Sequence, residues 1–205
     1  AIEGAIISTT DDAGSMVIIA NGTNTATFAS AVGVSGGAGV EHLQVLAATQ
    51  GSATFSAAVN VKTLDQDSDA GASTLDFNST YEGATIVIET GGAAADDAFM
   101  NFAGNVTVTT LTIDEEDAGA LATVTFDGTA AQVFTGSIVA TADGDGVFKV
   151  TNTHADGVQI DGNFGTTSGG DKGVDSLQIA SGSKFSFKGV ANSGAAEMNV
   201  NGNID

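Results

Sequence analysis

One short pattern, Val-x-x-Leu-x-(Ile/Val), constrains the fold of this chain more than any other feature. It occurs as Val40-Glu-His-Leu43-Gln-Val45, Val108-Thr-Thr-Leu111-Thr-Ile113 and Val174-Asp-Ser-Leu177-Gln-Ile179, with a weaker copy at Val61-Lys-Thr-Leu64-Asp-Gln66. In chain order the four copies start at Val40, Val61, Val108 and Val174. Their successive intervals approximate one, two and three units of about 22 residues, a length typical of solenoid repeats. The skipped units fall near positions 84, 130 and 152, where Ile86-Val87-Ile88, Val133-Phe134 and Val147-Phe148-Lys149-Val150 have strand character.

The pattern also carries geometry. In Val106-x-Val108-x-x-Leu111-x-Ile113, apolar residues alternate on each side of a three-residue offset. Side chains alternate faces along a strand, so the offset would send the two halves to opposite faces unless the chain bends between them. A corner in a solenoid rung keeps all four residues inside. A bulged strand of a β-sandwich or jelly roll is the alternative. Elsewhere the chain is poor in helix formers and shows period-two bursts such as Val59-Asn60-Val61, Val124-Thr125-Phe126 and Phe185-Ser186-Phe187, punctuated by Gly, Asn and Asp. The expectation is a single all-β repeat domain over residues 1–205, a parallel β-solenoid. The 39–49 stretch is the one helix candidate, and its Val40/Leu43 spacing is better explained by the repeat.

Two weaker repeats accompany the first. Asn21-Gly22-Thr23 precedes Phe28 and Val32 as Asp127-Gly128-Thr129 precedes Phe134 and Ile138. Asp-Ala-Gly recurs at Asp12, Asp69 and Asp117. Most of the 11 phenylalanines sit in such strand or repeat positions and read as core.

Charge excludes several functions. The 25 acidic residues face five lysines and no arginine, a net charge of −20. Nucleic-acid binding needs cations to displace phosphate counterions, and anionic membrane surfaces repel such a chain. The longest strongly apolar run, Met16-Val17-Ile18-Ile19, is far short of the roughly 20 residues of a spanning helix. With no cysteine there is no disulfide, zinc-thiolate site or cysteine nucleophile. An acidic chain of this kind suits salty, calcium-containing water, where counterions screen self-repulsion, so an extracellular or cell-surface setting is expected.

Phe126-Asp-Gly-Thr-Ala-Ala-Gln-Val-Phe-Thr-Gly-Ser-Ile138 and Phe102-Ala-Gly-Asn-Val-Thr-Val-Thr-Thr-Leu-Thr-Ile113 resemble the β-strand repeats of large bacterial surface proteins: autotransporter passenger domains, repeat adhesins and some S-layer proteins. The resemblance implies an extracellular structural or adhesive role. It brings no catalytic residues.

Chemistry concentrates in the carboxylates. Asp65-x-Asp67-x-Asp69 has the alternating spacing that can wrap Ca²⁺, which takes six to eight oxygens. Counted as a calcium loop, it places Ser73 and Asp76 at the ninth and twelfth positions. Asp114-Glu115-Glu116-Asp117 packs four carboxylates together, and Asp143-Gly144-Asp145-Gly146 resembles part of a Gly/Asp calcium turn. Asp11-Asp12 and Asp96-Asp97 are weaker pairs. Catalysis is not expected: His42 and His154 are the only histidines, and no Gly-x-Ser-x-Gly elbow is present.

The reading is therefore a self-assembling subunit of a surface layer, filament or adhesin stalk, stabilised by calcium, forming a homo-oligomer or polymer. The apolar Ala1–Ile7 segment and the alternating Met198–Ile204 segment are the candidate edge strands for such contacts. Alternatives are a phage or virion fibre or decoration protein, and a glycan-binding module or polysaccharide-active β-helix enzyme using Tyr81 or an exposed phenylalanine.

Overall fold

The computed structural model describes residues 1–20, 25–35, 39–47, 51–69, 71–116, 119–142, 144–165, 173–188, 197–200 and 203–204. No helix is present among them. The strands in chain order are β1 (Ser15–Ala20), β2 (Thr25–Phe28), β3 (Val40–Ala47), β4 (Gly51–Phe55), β5 (Val59–Ser68), β6 (Ser73–Phe77), β7 (Tyr81–Glu82), β8 (Thr85–Thr90) and β9 (Ala98–Phe102). They continue with β10 (Val106–Asp114), β11 (Ala122–Phe126), β12 (Gln132–Ala140), β13 (Val147–Val150), β14 (Val158–Asp161), β15 (Ser176–Ile179), β16 (Lys184–Phe187), β17 (Glu197–Val200) and β18 (Asn203–Ile204).

Among the described residues all strand pairing is parallel, and the strands form two sheets that the chain visits alternately. The ten-stranded sheet runs β1-β3-β5-β7-β10-β12-β14-β16-β18, with β8 between β5 and β10 beyond a bend. The eight-stranded sheet runs β17-β15-β13-β11-β9-β6-β4-β2. This is a parallel β-solenoid. Its spacing is about 25 residues, longer than the sequence pattern suggests. The step from a residue to its partner one rung on is shortest where Lys184 pairs with Asn203 and longest where Val147 pairs with Ser176. Turns of unequal length absorb the difference.

The corner forms as the offset of three requires. Val106, Val108, Leu111 and Ile113 are all buried, while Thr107 and Thr109 point outward. The ladder shifts register between Thr107 and Thr110, and both Thr109 and Thr110 donate their N–H to the carbonyl of Ala84 (2.9 and 3.2 Å). On the next rung Gly136 makes the same corner at φ +137°, where a Cβ would lie 2.2 Å from the Val108 carbonyl oxygen. No side chain fits there.

Stacked rungs turn each core position into a column. Leu43, Leu64, Ile86, Leu111 and Ile138 pair in succession. The expected unit at Ile86 is therefore real, and the 39–49 stretch contributes strand β3. Val174-x-x-Leu177-x-Ile179, in contrast, belongs to the other sheet, as Leu177 pairs with Phe148. Phe28 and Phe134 likewise sit in different sheets, so the Gly-Thr-Phe similarity is not a structural repeat. Both sheets bury alternate residues, and the pattern alone does not say which sheet a strand joins.

The phenylalanines form the most regular column. Phe28, Phe55, Phe77, Phe102 and Phe126 occupy one register position of the eight-stranded sheet. Their ring centroids lie 4.8, 5.0, 5.1 and 5.5 Å apart. That separation is close to the roughly 4.8 Å between hydrogen-bonded strands, so the ladder sets the rings at stacking distance. Tyr81 packs edge-on against Phe77 and donates its hydroxyl to the Val61 carbonyl (3.1 Å).

Two buried glutamines interrupt the core. Gln66 stands in the column of Val45, Ile88 and Ile113, and its Nε2 donates to Ser73 Oγ (2.7 Å) and the Phe99 carbonyl (3.1 Å). Gln132 donates to the Phe102 and Gly104 carbonyls and accepts from Gly128 N–H and Asn152 Nδ2.

Truncating one ring in the middle of the stack should cost about 3–5 kcal/mol. Urea unfolding should therefore rank Phe77→Ala as strongly destabilising and Gly136→Ala as destabilising through its corner. Thr107→Ala, at an exposed position, should stay within about 0.5 kcal/mol of the parent.

Candidate functional site

Register assembles an acidic seam along one long edge of the solenoid, where strands of the ten-stranded sheet turn toward the eight-stranded sheet. On its outer face, Asp67 pairs with Glu89, and Glu89 with Asp114. Parallel neighbours are about 4.8 Å apart, so three carboxylates repeat one above another. Two like charges at such separations repel by about 1 kcal/mol in water and by several times that at a half-buried surface.

The turns extend the seam. Glu116 hydrogen-bonds the Glu89 side chain, and its own N–H donates to Thr90 Oγ1 (3.1 Å). Asp67 accepts from the Asp69 N–H (3.1 Å). Thr141 Oγ1 lies 2.5 Å from Asp114 Oδ1 and 2.9 Å from Asp145 Oδ2. A hydroxyl carries one proton, so it serves only one of these two carboxylates at a time. The buried Asp145 is also held by the Ala142 N–H (2.7 Å). Glu115 turns toward the following rung, where its carboxylate accepts from the Ala122 N–H (2.8 Å). Asp97 likewise accepts from the Leu121 N–H (2.8 Å), and Asp96 is buried in the same turn.

Asp65, Asp67 and Asp69, the Asp114–Glu116 run and Asp145 therefore belong to one edge, although they come from three separate stretches of sequence. Asp65 stands beside Asp67 on the outer face and accepts from Gln44 Nε2 (3.2 Å). Asp117 and Asp143 lie outside the described residues. Asp76 is elsewhere, on the eight-stranded sheet, where Asn101 Nδ2 (2.8 Å) and Thr54 Oγ1 (3.4 Å) bond it. Ser73 is buried and bonded to Gln66 and Ser68. The expected calcium loop thus does not close around one point: its last ligands sit in β6, past the turn and on or inside the other sheet. Glu89 is the member that local sequence reading misses. Its signal is rung length, since in sequence it stands about one rung after Asp67 and one rung before Asp114.

The seam perturbs its own titration. Burial, reinforced by Asp67, Glu116 and Asp114, pushes the Glu89 carboxyl up to about 7. Burial also raises Asp67, against the pull of the Asp69 N–H and with added repulsion from Asp69, Asp65 and Glu116. Burial raises Glu115 in the same way, opposed by the Ala122 and Gly146 N–H groups. The described ion pairs of lysine, Lys62 with Asp12 (3.5 Å) and Lys188 with Asp161 (3.1 Å), are both away from the seam. Among the described residues, no three acidic or histidine side chains are placed so as to enclose a metal ion. The donor set is all oxygen, the chemistry of a hard cation.

Neither histidine pairs with a described seam carboxylate. His42 sits on the outer face opposite Thr63, and His154 Nδ1 accepts from the Asp156 N–H in a turn. No helix among the described residues is long and apolar enough to cross a membrane. No protein-family model, curated protein or solved structure matches the chain.

Because Glu89 holds its proton in the folded chain up to about pH 7 and releases it near 4.5 when unfolded, folding binds a proton between those values. Stability from this group is present below about pH 4.5 and is lost as pH rises through 7. Thermal melts across the acid-to-neutral range and beyond should show the parent falling more steeply than Glu89→Gln, with the variant more stable on the alkaline side. Parallel curves would remove Glu89 from the account.

Proposed function

We propose that the chain is a non-enzymatic structural module of an extracellular assembly, a surface layer, filament or adhesin stalk, whose acidic seam is neutralised by Ca²⁺. The observation that carries this reading is the seam itself. Asp67, Glu89, Asp114, Glu116 and Asp145 crowd one edge with no described lysine among them, in a chain of net charge −20. Such an edge is stable where cations are abundant. Calcium bound there would favour the folded rod in proportion to its preference for the folded over the unfolded chain. The double contact of Thr141 with two carboxylates is one place where a cation would relieve repulsion.

An exposed apolar patch is consistent with assembly. Ile2, Ile7, Val17, Ile19 and Val34 are large apolar side chains left exposed near the N-terminal end of the rod, Ile19 to 67%. Ile2 and Ile6 hydrogen-bond inward to the second rung. A second copy packed against these side chains would cover the apolar surface. Surface modules of this kind work by shape and stiffness, and a solenoid supplies both through its columns.

The test is melting and negative-stain electron microscopy in millimolar Ca²⁺, in EDTA, and in NaCl of matched ionic strength. Calcium should raise the melting temperature by more than matched NaCl does, and the gain should shrink in Glu89→Gln/Asp114→Asn. Ordered filaments or sheets should appear with calcium and disperse on chelation. Equal melting temperatures and single particles in all three conditions would overturn the reading.

A further inference from the structure

The outer face of the eight-stranded sheet differs in chemistry from the seam. Two columns cover it. One runs Thr25, Ser52, Thr74, Phe99, Thr123; the other runs Thr27, Thr54, Asp76, Asn101, Thr125, Lys149, Gln178. A groove of about 530 Å³ opens on this face across β6, β9, β11, β13 and β15. Five adjacent strands span about 19 Å along the solenoid axis. Small threonines of β11 form its floor, between Phe99 and Asn101 on one side and Lys149 on the other.

Phe99 is the exception among the phenylalanines. Nine others are buried, and Phe187 packs against the core, but the Phe99 ring is only partly buried and faces outward between Thr74 and Thr123. Beside it Leu121 is 49% exposed. Apart from Val147, the remaining lining is hydroxyl and amide, with one cation, Lys149, and one acid, Asp127. The groove is therefore nearly neutral on a strongly anionic molecule.

We propose that this groove binds a neutral, β-linked polysaccharide laid along the solenoid axis. An aromatic ring amid hydroxyl and amide groups matches a pyranose, which offers an apolar C–H face and a rim of hydroxyls. Phe99 takes the sugar face, and Asn101, Thr125, Lys149 and Gln178, on consecutive rungs, take hydroxyls of successive residues. An extended β-1,4-linked chain is a flat ribbon whose sugars follow one another near the strand spacing, so consecutive sugars meet consecutive rungs. The net charge selects against polyanions, which would be repelled before reaching Lys149. Tyr81 takes no part, since it is buried beneath the opposite sheet.

The experiment is co-sedimentation of the full chain with insoluble chitin and cellulose, followed by calorimetric titration with chitohexaose and cellohexaose. The parent should bind at least one of the pair, with little change on adding NaCl. Phe99→Ala should weaken binding by about tenfold, the scale of one lost ring contact. Thr125→Arg, a surface change that fills the groove, should abolish it, and Thr107→Ala on the other sheet should bind like the parent. Melting curves establish that each variant is folded. No binding to either neutral polysaccharide would overturn the proposal. So would parent-like binding by folded Phe99→Ala and Thr125→Arg, or binding to anionic alginate alone that salt removes.

Discussion

Each rung of this solenoid provides the hydrogen-bonding template for the next, and in-register parallel pairing is the constraint on which everything else depends. It places every side chain about 4.8 Å from its counterpart one rung away. A favourable self-interaction is thereby multiplied, and so is an unfavourable one. The stacked phenylalanines are the first outcome, with rings 4.8 to 5.5 Å apart. The Asp67, Glu89 and Asp114 column is the second, built by the same geometry from groups that repel. The corner glycines follow from it too: where the rungs bend, backbone meets backbone, and Gly136 has no room for a Cβ.

Much of this architecture is legible in local patterns. Alternation marks the strands, and the three-residue offset in Val106-x-Val108-x-x-Leu111-x-Ile113 marks a corner with all four residues inside. What local patterns do not encode is which residues meet across rungs. Turn lengths vary, so the step between partners differs from the short Lys184–Asn203 pairing to the long Val147–Ser176 pairing, and any fixed period drifts out of register. That is why the Val174 copy reads as equivalent to the others and yet lies in the other sheet. It is also why Asp76 reads as completing a loop with Asp65 and instead bonds Asn101. Glu89 stands isolated in sequence, beside an ordinary strand, and joins the seam only when its neighbours are counted one rung away. Phe99 reads as core because phenylalanine in a strand is usually buried; its alternation phase, one residue off Ala98 and Met100, is the signal that it faces out.

The two long surfaces divide the chemistry of the molecule. Carboxylates crowd one edge, whereas the face of the eight-stranded sheet holds mostly hydroxyls and amides, a single outward ring, and the isolated charges of Asp76, Asp127 and Lys149. Net charge alone, a property of the whole chain, conceals this division. The two surfaces meet at one border of the polar face, where Asp97 and Glu115 accept from the Leu121 and Ala122 N–H groups, so cations collected on the edge also lower the field that a partner of that face meets.

The glutamines inside the core have a consequence for how such a rod finds its own alignment. Five rungs share the phenylalanine column, so a chain displaced by one whole rung would still stack rings and still bury leucine on leucine. Gln66 and Gln132 forbid that error. Gln66 Nε2 reaches Ser73 and the Phe99 carbonyl, and Gln132 reaches Asn152 and the Gly104 carbonyl, from one position along the rod, each bridging neighbouring rungs. Shifted by one, it would lie unpaired against aliphatic neighbours at a cost of about 1–3 kcal/mol. The two residues act as unique addresses in an otherwise repetitive text, trading some core stability for a single correct alignment of the rungs.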